Sequence, residues 1–222
     1  MKKSIFALVL ILFVPFLFVS CKHENRLLPY VSELRCDLYQ GDSQSYSVRA
    51  GYGFKEQPFV NDGVAGKTVN QLTFKLLGKE TDSATYTISF NYNQTDYSGV
   101  FKLNPATDTV TCTIEIDDFS AREFTVKITS GSSTEEVKLV SIIPNQTISH
   151  ITALDFLSKN QGALISHYTD NTGNFKAEIY LRILVKDNSP YWYVGLASGN
   201  NKLKAFLIDG FSGEILAIRE IF

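Results

Sequence analysis

The sequence predicts a mainly β chain with an α+β tail: an N-terminal antiparallel β-sandwich of Ig-like architecture, then a small helix-plus-antiparallel-sheet unit. Three observations predict it. Apolar and polar residues alternate with period two through most of 32–143, as in strands with one buried and one wet face. Clusters of Gly, Pro, Asn, Asp and Ser interrupt the alternation at short intervals. After Pro144 the period lengthens to that of an amphipathic helix before alternation resumes. Composition agrees, with 16 Phe and 11 Tyr against a single Met, since aromatic residues favour strands.

The alternating runs are Leu34, Cys36 and Leu38; Tyr46, Val48, Ala50 and Tyr52; Leu72, Phe74 and Leu76; Tyr86, Ile88, Phe90 and Tyr92; Val110, Cys112, Ile114 and Ile116; and Phe124, Val126 and Ile128. With the turn clusters at 40–43, 61–63, 78–80, 104–106 and 130–133, they suggest about eight short strands. The likeness to an Ig domain is architectural only, because the single Trp is Trp192 and no Cys…Trp…Cys pattern exists. Alternation turns Cys36 and Cys112 inward with the aliphatics. They could form one disulfide or remain two buried thiols. The loop 52–67 places Phe54 and Phe59 beside Lys55, Glu56, Asn61 and Asp62. Exposed aromatics beside polar groups can bind a glycan or peptide; the alternative is a loop that folds its own aromatics onto the sandwich edge.

The second unit is expected over 144–222. Ile148, Ile151, Leu154 and Leu157, with Phe156, share one helical face. Thr147 or Ser149 can cap its start, Lys159 suits its last turn, and Gly162 sits where a helix commonly ends. Strand-like runs follow at 177–186, 191–197, 202–209 and 214–221, divided by turns at 187–190, 198–201 and 209–213. Tyr191-Trp192-Tyr193-Val194-Gly195-Leu196, and then Ala205-Phe206-Leu207-Ile208-Asp209-Gly210-Phe211-Ser212-Gly213-Glu214-Ile215-Leu216, resemble a PepSY-type domain. Asp209, Gly213 and Glu214 match that family's closing hairpin, and Ser212 stands where Thr is usual. The resemblance implies an extracytoplasmic binding module, in some members one that inhibits or chaperones a peptidase, and it brings no catalytic residues. The matched residues have a structural role as well: Asp209 and Ser212 can accept turn hydrogen bonds, and Gly213 supplies positive φ.

At the N-terminus, Lys2 and Lys3 precede an apolar run at 5–19 that ends in Phe18-Val19-Ser20-Cys21. The run is short of the ~20 residues that span a bilayer, and its flanks suit a cleaved signal. This stretch resembles a bacterial lipoprotein signal peptide over 1–20. The resemblance implies lipid on Cys21, a lipidated tether over 21–31 and an extracytoplasmic, lipid-anchored protein. With Lys22 rather than aspartate after the cysteine, it further implies the outer membrane if the organism is diderm. The tether would hold the sandwich nearest the membrane.

Charge and motifs narrow the function. Removing Lys2 and Lys3 from 21 basic residues leaves 19 against 23 acidic ones, a formal charge of −4. Nothing there tracks a phosphate backbone, so nucleic acid is not an expected partner. No P-loop, dinucleotide fingerprint or G-x-S-x-G elbow occurs. His150 and His167 lack a His or Cys neighbour at metal spacing, and the loop at 170–174 lacks the terminal Glu of a calcium loop. The expectation is a non-enzymatic, membrane-anchored binding lipoprotein with no cofactor and no metal. Two alternatives are a peptidase regulator acting through the PepSY-like unit, and a glycan-binding accessory protein using Phe54, Phe59, Tyr191, Trp192 or Tyr193. An envelope protein, a peptidase and a glycan are the partners these readings name.

Overall fold

In the computed structural model, residues 25–60, 62, 64–77, 85–105, 107–198 and 203–221 are described. The expected signal peptide and Cys21 lie outside them. Strand makes up 58% and helix 11%, as the alternation requires. The strands are β1 (Val31–Asp42), β2 (Ser47–Glu56), β3 (Thr68–Leu77), β4 (Tyr86–Tyr92), β5 (Thr95–Val100), β6 (Lys102–Asn104), β7 (Thr109–Glu115), β8 (Glu123–Ser130) and β9 (Ser133–Ser141). Helices α1 (His150–Asn160) and α2 (Gly162–His167) follow, then β10 (Glu178–Lys186), β11 (Ser189–Ala197), β12 (Leu203–Asp209) and β13 (Ile215–Ile221).

The first nine strands form a two-layer sandwich, with β1-β2-β3-β7-β6 facing β5-β4-β8-β9. The layers are joined at both edges, by strand pairing at one and by the chain itself at the other. At one edge β9 meets β1 through Tyr39↔Ser141 and Gln40↔Val140. At the other, the chain bends at buried Phe101, whose N–H donates to the Tyr86 carbonyl at 2.9 Å, and passes from β5 into β6. Val48, Leu72, Phe74, Ile88, Val126, Ile128, Val137 and Leu139 fill the interior. An aromatic cluster plugs one end, where Phe119 packs on Tyr39, Tyr92 and Phe124 at centroid distances of 4.6–5.9 Å.

Strand β1 departs from its expected pattern. A register shift at Cys36 puts Leu34 opposite Phe54, Asp37 opposite Tyr52 and Tyr39 opposite Ala50. One extra residue reverses the parity of everything beyond it. Tyr39, at 2% exposure, therefore enters the sandwich core, and Leu34, Cys36 and Leu38 pack with the second core. Cys36 and Cys112 thus belong to different cores, and both thiols are free. The disulfide alternative is corrected accordingly. Burial pushes the Cys36 thiol up to about 12, so it stays protonated at neutral pH.

The same strand joins the two units. Its first half pairs in parallel with β10, from Val31↔Ile179 to Arg35↔Arg182. Beyond β10 the sheet continues antiparallel through β11, β12 and β13. Helix α1 supplies Ala153, Leu154 and Leu157 to the second core, against Ile179, Leu181, Val194, Phe206 and Ile208. Ser149 caps it, its Oγ accepting the Thr152 N–H at 3.1 Å. One helical expectation is corrected: Ile151 is 36% exposed rather than on the buried face. Helix α1 ends at Asn160 with Gln161 as its C-cap, next to Gly162, which opens the short α2.

The tether expected over 21–31 also gives way, from Asn25 onward. Leu28–Tyr30 form a 3-10 turn, and Leu27, at 1% exposure, enters the second core with Val31. Asn25 is buried, donates to Asp155 Oδ1 and accepts the Leu27 N–H at 2.8 Å. The apolar run Leu27-Leu28-Pro29-Tyr30-Val31 follows charged and polar residues at 22–26 and is too short to show a period, which is why the sequence pattern suggests a free segment. The described chain therefore starts against the helical unit, not at the sandwich.

Candidate functional site

The sheet runs β13-β12-β11-β10-β1-β2-β3-β7-β6. One of its faces meets α1 under β10–β13 and the sandwich core under β1–β7. Among the described residues, no helix or second sheet covers the other face. Cross-strand register decides which side chains share that open face: Tyr193 opposite Arg182, Arg35 opposite Gly53, and Arg49 opposite Lys75.

A cleft opens where β1 changes partners. After Arg35↔Arg182, β1 leaves β10 and reaches β9 at Tyr39, while β10 runs on to Lys186. The space between them is about 470 Å³. Leu38, Ile142, Leu184 and Val185 make its apolar wall; Arg35, Arg49 and Lys75 make the cationic side, with Thr73 and Thr111 between. Among the described residues no carboxylate lines it. A shallower trough of about 340 Å³ continues along the face, sharing Arg35, Gly51, Thr73 and Thr111.

Arg35 dominates this site. Its stem lies flat over Gly51, where a Cβ would stand 2.9 Å from Arg35 Cδ. Its Nε is buried and, among the described residues, donates to nothing. Glu33 favours its charge from nearby, but bonds Arg182 instead, at 2.6 and 2.7 Å, with Lys55 at 3.8 Å. Burial and the neighbouring Arg182 charge lower the Arg35 pKa from its ordinary value, although a guanidinium remains charged. Among the described residues, Arg35, Arg49 and Lys75 make no ion pair. A broader depression of about 800 Å³ on the other sandwich layer differs here, because its Lys127 and Glu136 neutralise each other at 3.6 Å.

No family model, curated protein or solved structure matches this chain. The site therefore rests on its own geometry.

That geometry redistributes the expected ligand-binding aromatics. Trp192 is 2% exposed, and its Nε1–H donates to the Ile148 carbonyl at 3.0 Å, so it belongs to the core under α1. Phe54 is half-buried against the same core. Trp192 is corrected to a structural role, since alternation puts it on the face opposite to its neighbours, whereas Phe54 also lines the shallower trough. Tyr191 and Tyr193 are half-buried on the open face. Phe59 is 44% exposed, tilted against Tyr180 at 5.9 Å, with Lys55 Nζ 4.2 Å from its ring centre. The loop that carries Phe59 hangs on a buried acid, since Glu178 accepts the Asp62 N–H at 2.9 Å and the Tyr180 hydroxyl at 3.2 Å.

The remaining candidates are structural. Asp209 Oδ1 accepts the N–H groups of Phe211 and Ser212 at 2.9 and 2.7 Å, which lowers its pKa, and Gly213 has φ +78. Asp170 is occupied by Thr172, Asn174 and Lys176, which hold it well below the usual carboxylate range. His150 packs edge-on to Trp192 at 6.3 Å and His167 to Tyr168 at 5.8 Å. Among the described residues no cluster of His, Cys, Asp or Glu could hold a metal, and no helix is long and apolar enough to cross a membrane. Nothing in the sequence singles out Arg35, Arg49 or Lys75, because each is one of many cations at wet-face strand positions. Only the register β1–β2–β3 brings them together.

Proposed function

We propose that this chain is a non-enzymatic, lipid-anchored, extracytoplasmic binding protein that captures a small ligand on the open face of its long sheet. The observation that carries the reading is the cleft at the β1–β10 fork. Half-buried Arg35, with Arg49 and Lys75, converges there beside an apolar wall, and among the described residues none of the three makes an ion pair. Small-molecule sites combine an apolar lining with a few placed polar groups in this way. The anchor rests on the likeness of residues 1–21 to a lipoprotein signal. The glycan alternative is weaker, because Trp192 is engaged in the core.

Two measurements test the proposal. Full-length protein purified from the membrane fraction is expected to release a small molecule, in about one-to-one ratio, that mass spectrometry detects in the solvent extract. Protein that never carries one, from any growth condition, speaks against a binding role. Cys21→Ala is expected to move the protein out of the membrane fraction, and continued membrane association would refute the lipid anchor.

A further inference from the structure

We propose that the fork cleft takes an amphipathic anion: a carboxylate or sulfonate head on Arg35, Arg49 and Lys75, and a short apolar body along Leu38, Ile142 and Leu184. This rests on the reading of the chain as a binding protein and names the ligand's chemistry.

Charge decides the head group. Three cations face a cleft with no carboxylate among its described lining residues, in a chain with 23 acidic and 21 basic residues. The cationic spot is local and stands against the overall sign, so it is not a generally basic surface. Arg35 presents a buried Nε–H without an acceptor, and a buried donor left unpaired is costly enough that such groups are nearly always satisfied. The bidentate Arg182 pair keeps Glu33 from filling that role. That Nε is closed to the cleft, but Arg35 as a whole is only half-buried, and its charged head, beside Arg49 and Lys75, can hold an incoming oxyanion by charge-assisted bonds.

Shape decides the rest. The volume, about 470 Å³, falls within the usual range for small-molecule sites. A bare inorganic anion would leave the Leu38–Ile142–Leu184 wall in contact with water, whereas an apolar body removes that surface from it. Leu184 is an exposed large hydrophobic in the free protein, as expected of a wall that a ligand covers. The glycine at 51 completes the site: any larger residue there would displace the Arg35 stem.

The test is calorimetric titration of the full-length chain in phosphatidylcholine nanodiscs, with empty nanodiscs as the blank. The probes are 4-phenylbutyrate, 4-phenylbutylammonium and inorganic phosphate. The expected result is binding of 4-phenylbutyrate, phosphate weaker by about tenfold or more, and no binding of the ammonium compound. Arg35→Gln and Leu184→Asp are each expected to weaken 4-phenylbutyrate by about tenfold. Arg49 is exposed and Lys75 half-buried on the surface, so the Arg49→Gln/Lys75→Gln double variant serves if Arg35→Gln misfolds. Absence of 4-phenylbutyrate binding overturns the proposal. So does phosphate binding of equal strength, or unchanged affinity in the double variant. If the protein instead carries a ligand that Tyr193→Ala releases and Arg35→Gln retains, this inference falls and the broader reading as a binding protein stands.

Discussion

Arg182 on β10 grips Glu33 on β1 in a two-bond fork of 2.6 and 2.7 Å, across the parallel junction between the two units. The pair does two things at once. It ties the helical unit to the sandwich, and it fixes beside Arg35 a carboxylate whose charge favours the Arg35 guanidinium while its bonds go to Arg182. Glu33→Gln should therefore leave Arg35 and Arg182 repelling each other. The expected loss is about 1–2 kcal/mol, given that the Arg182 end is partly solvated. Urea unfolding of Glu33→Gln against wild type measures it, and an unchanged midpoint would show that the junction does not depend on this pair.

Gly213 and Gly131 separate backbone strain from packing. Both have positive φ, at +78 and +60. A Cβ on Gly131 meets nothing within 4 Å, whereas one on Gly213 would lie 2.2 Å from a ring carbon of Phe156 on α1. Gly131→Ala should cost roughly 1 kcal/mol, the αL penalty alone. Gly213→Ala adds overpacking and should cost about 2–4 kcal/mol. Equal losses in chemical denaturation would mean that the β12–β13 turn is not wedged beneath the helix.

The burial of His150 lowers its pKa. An unfolded histidine titrates near ~6.5, so below that pH the unfolded chain binds the extra proton and the folded one resists it. Stability from this group is full above about pH 7 and falls as pH drops through the unfolded value. His150→Gln should flatten this part of the curve. Thermal melts at pH 7.5 and 5.5 are expected to show a smaller difference for the variant than for wild type.

The carboxyl of Glu56 works in the opposite direction. Burial raises its pKa, reinforced by the Glu178 charge, so the folded state holds the proton better. Its unfavourable contribution grows as pH rises from about 4.5, the ordinary glutamate range. Glu56→Gln should gain stability relative to wild type at neutral pH and lose that advantage near pH 4. A variant uniformly less stable across the series would contradict the desolvation argument.

Leu27 distinguishes a packed segment from a tether. Leu27→Ala removes a side chain that is 1% exposed in the second core and should cost about 2–4 kcal/mol. A substitution in a free tether would stay within roughly 0.5 kcal/mol. The unfolding midpoint decides between them.

Much of this architecture was legible in the chain. The turn at Asp209–Gly213, the Ser149 cap and the strands flanking them are local events, set by residues within a few positions of one another. The alternation of β2, β3, β4 and β7 carried through because no register shift interrupts it. Strand β1 did not follow, since a single extra residue at Cys36 reverses the facing of Tyr39. Trp192 and Phe59, alike in sequence as aromatics near polar groups, ended on opposite sides of the sheet.

Sequence alone determined that the chain is strand-rich, where its turns fall and that one helix packs on the later strands, because propensity, capping and period act between near neighbours. Tertiary structure decided that β1 joins the two units, that residues from Asn25 onward are packed, and that Arg35, Arg49 and Lys75 meet beside Leu184. Those outcomes depend on which edges pair and in what register. They are settled by pairings between residues distant in the chain, from Arg49 with Lys75 to Glu33 with Arg182, and a one-residue slip would undo them without changing any local preference.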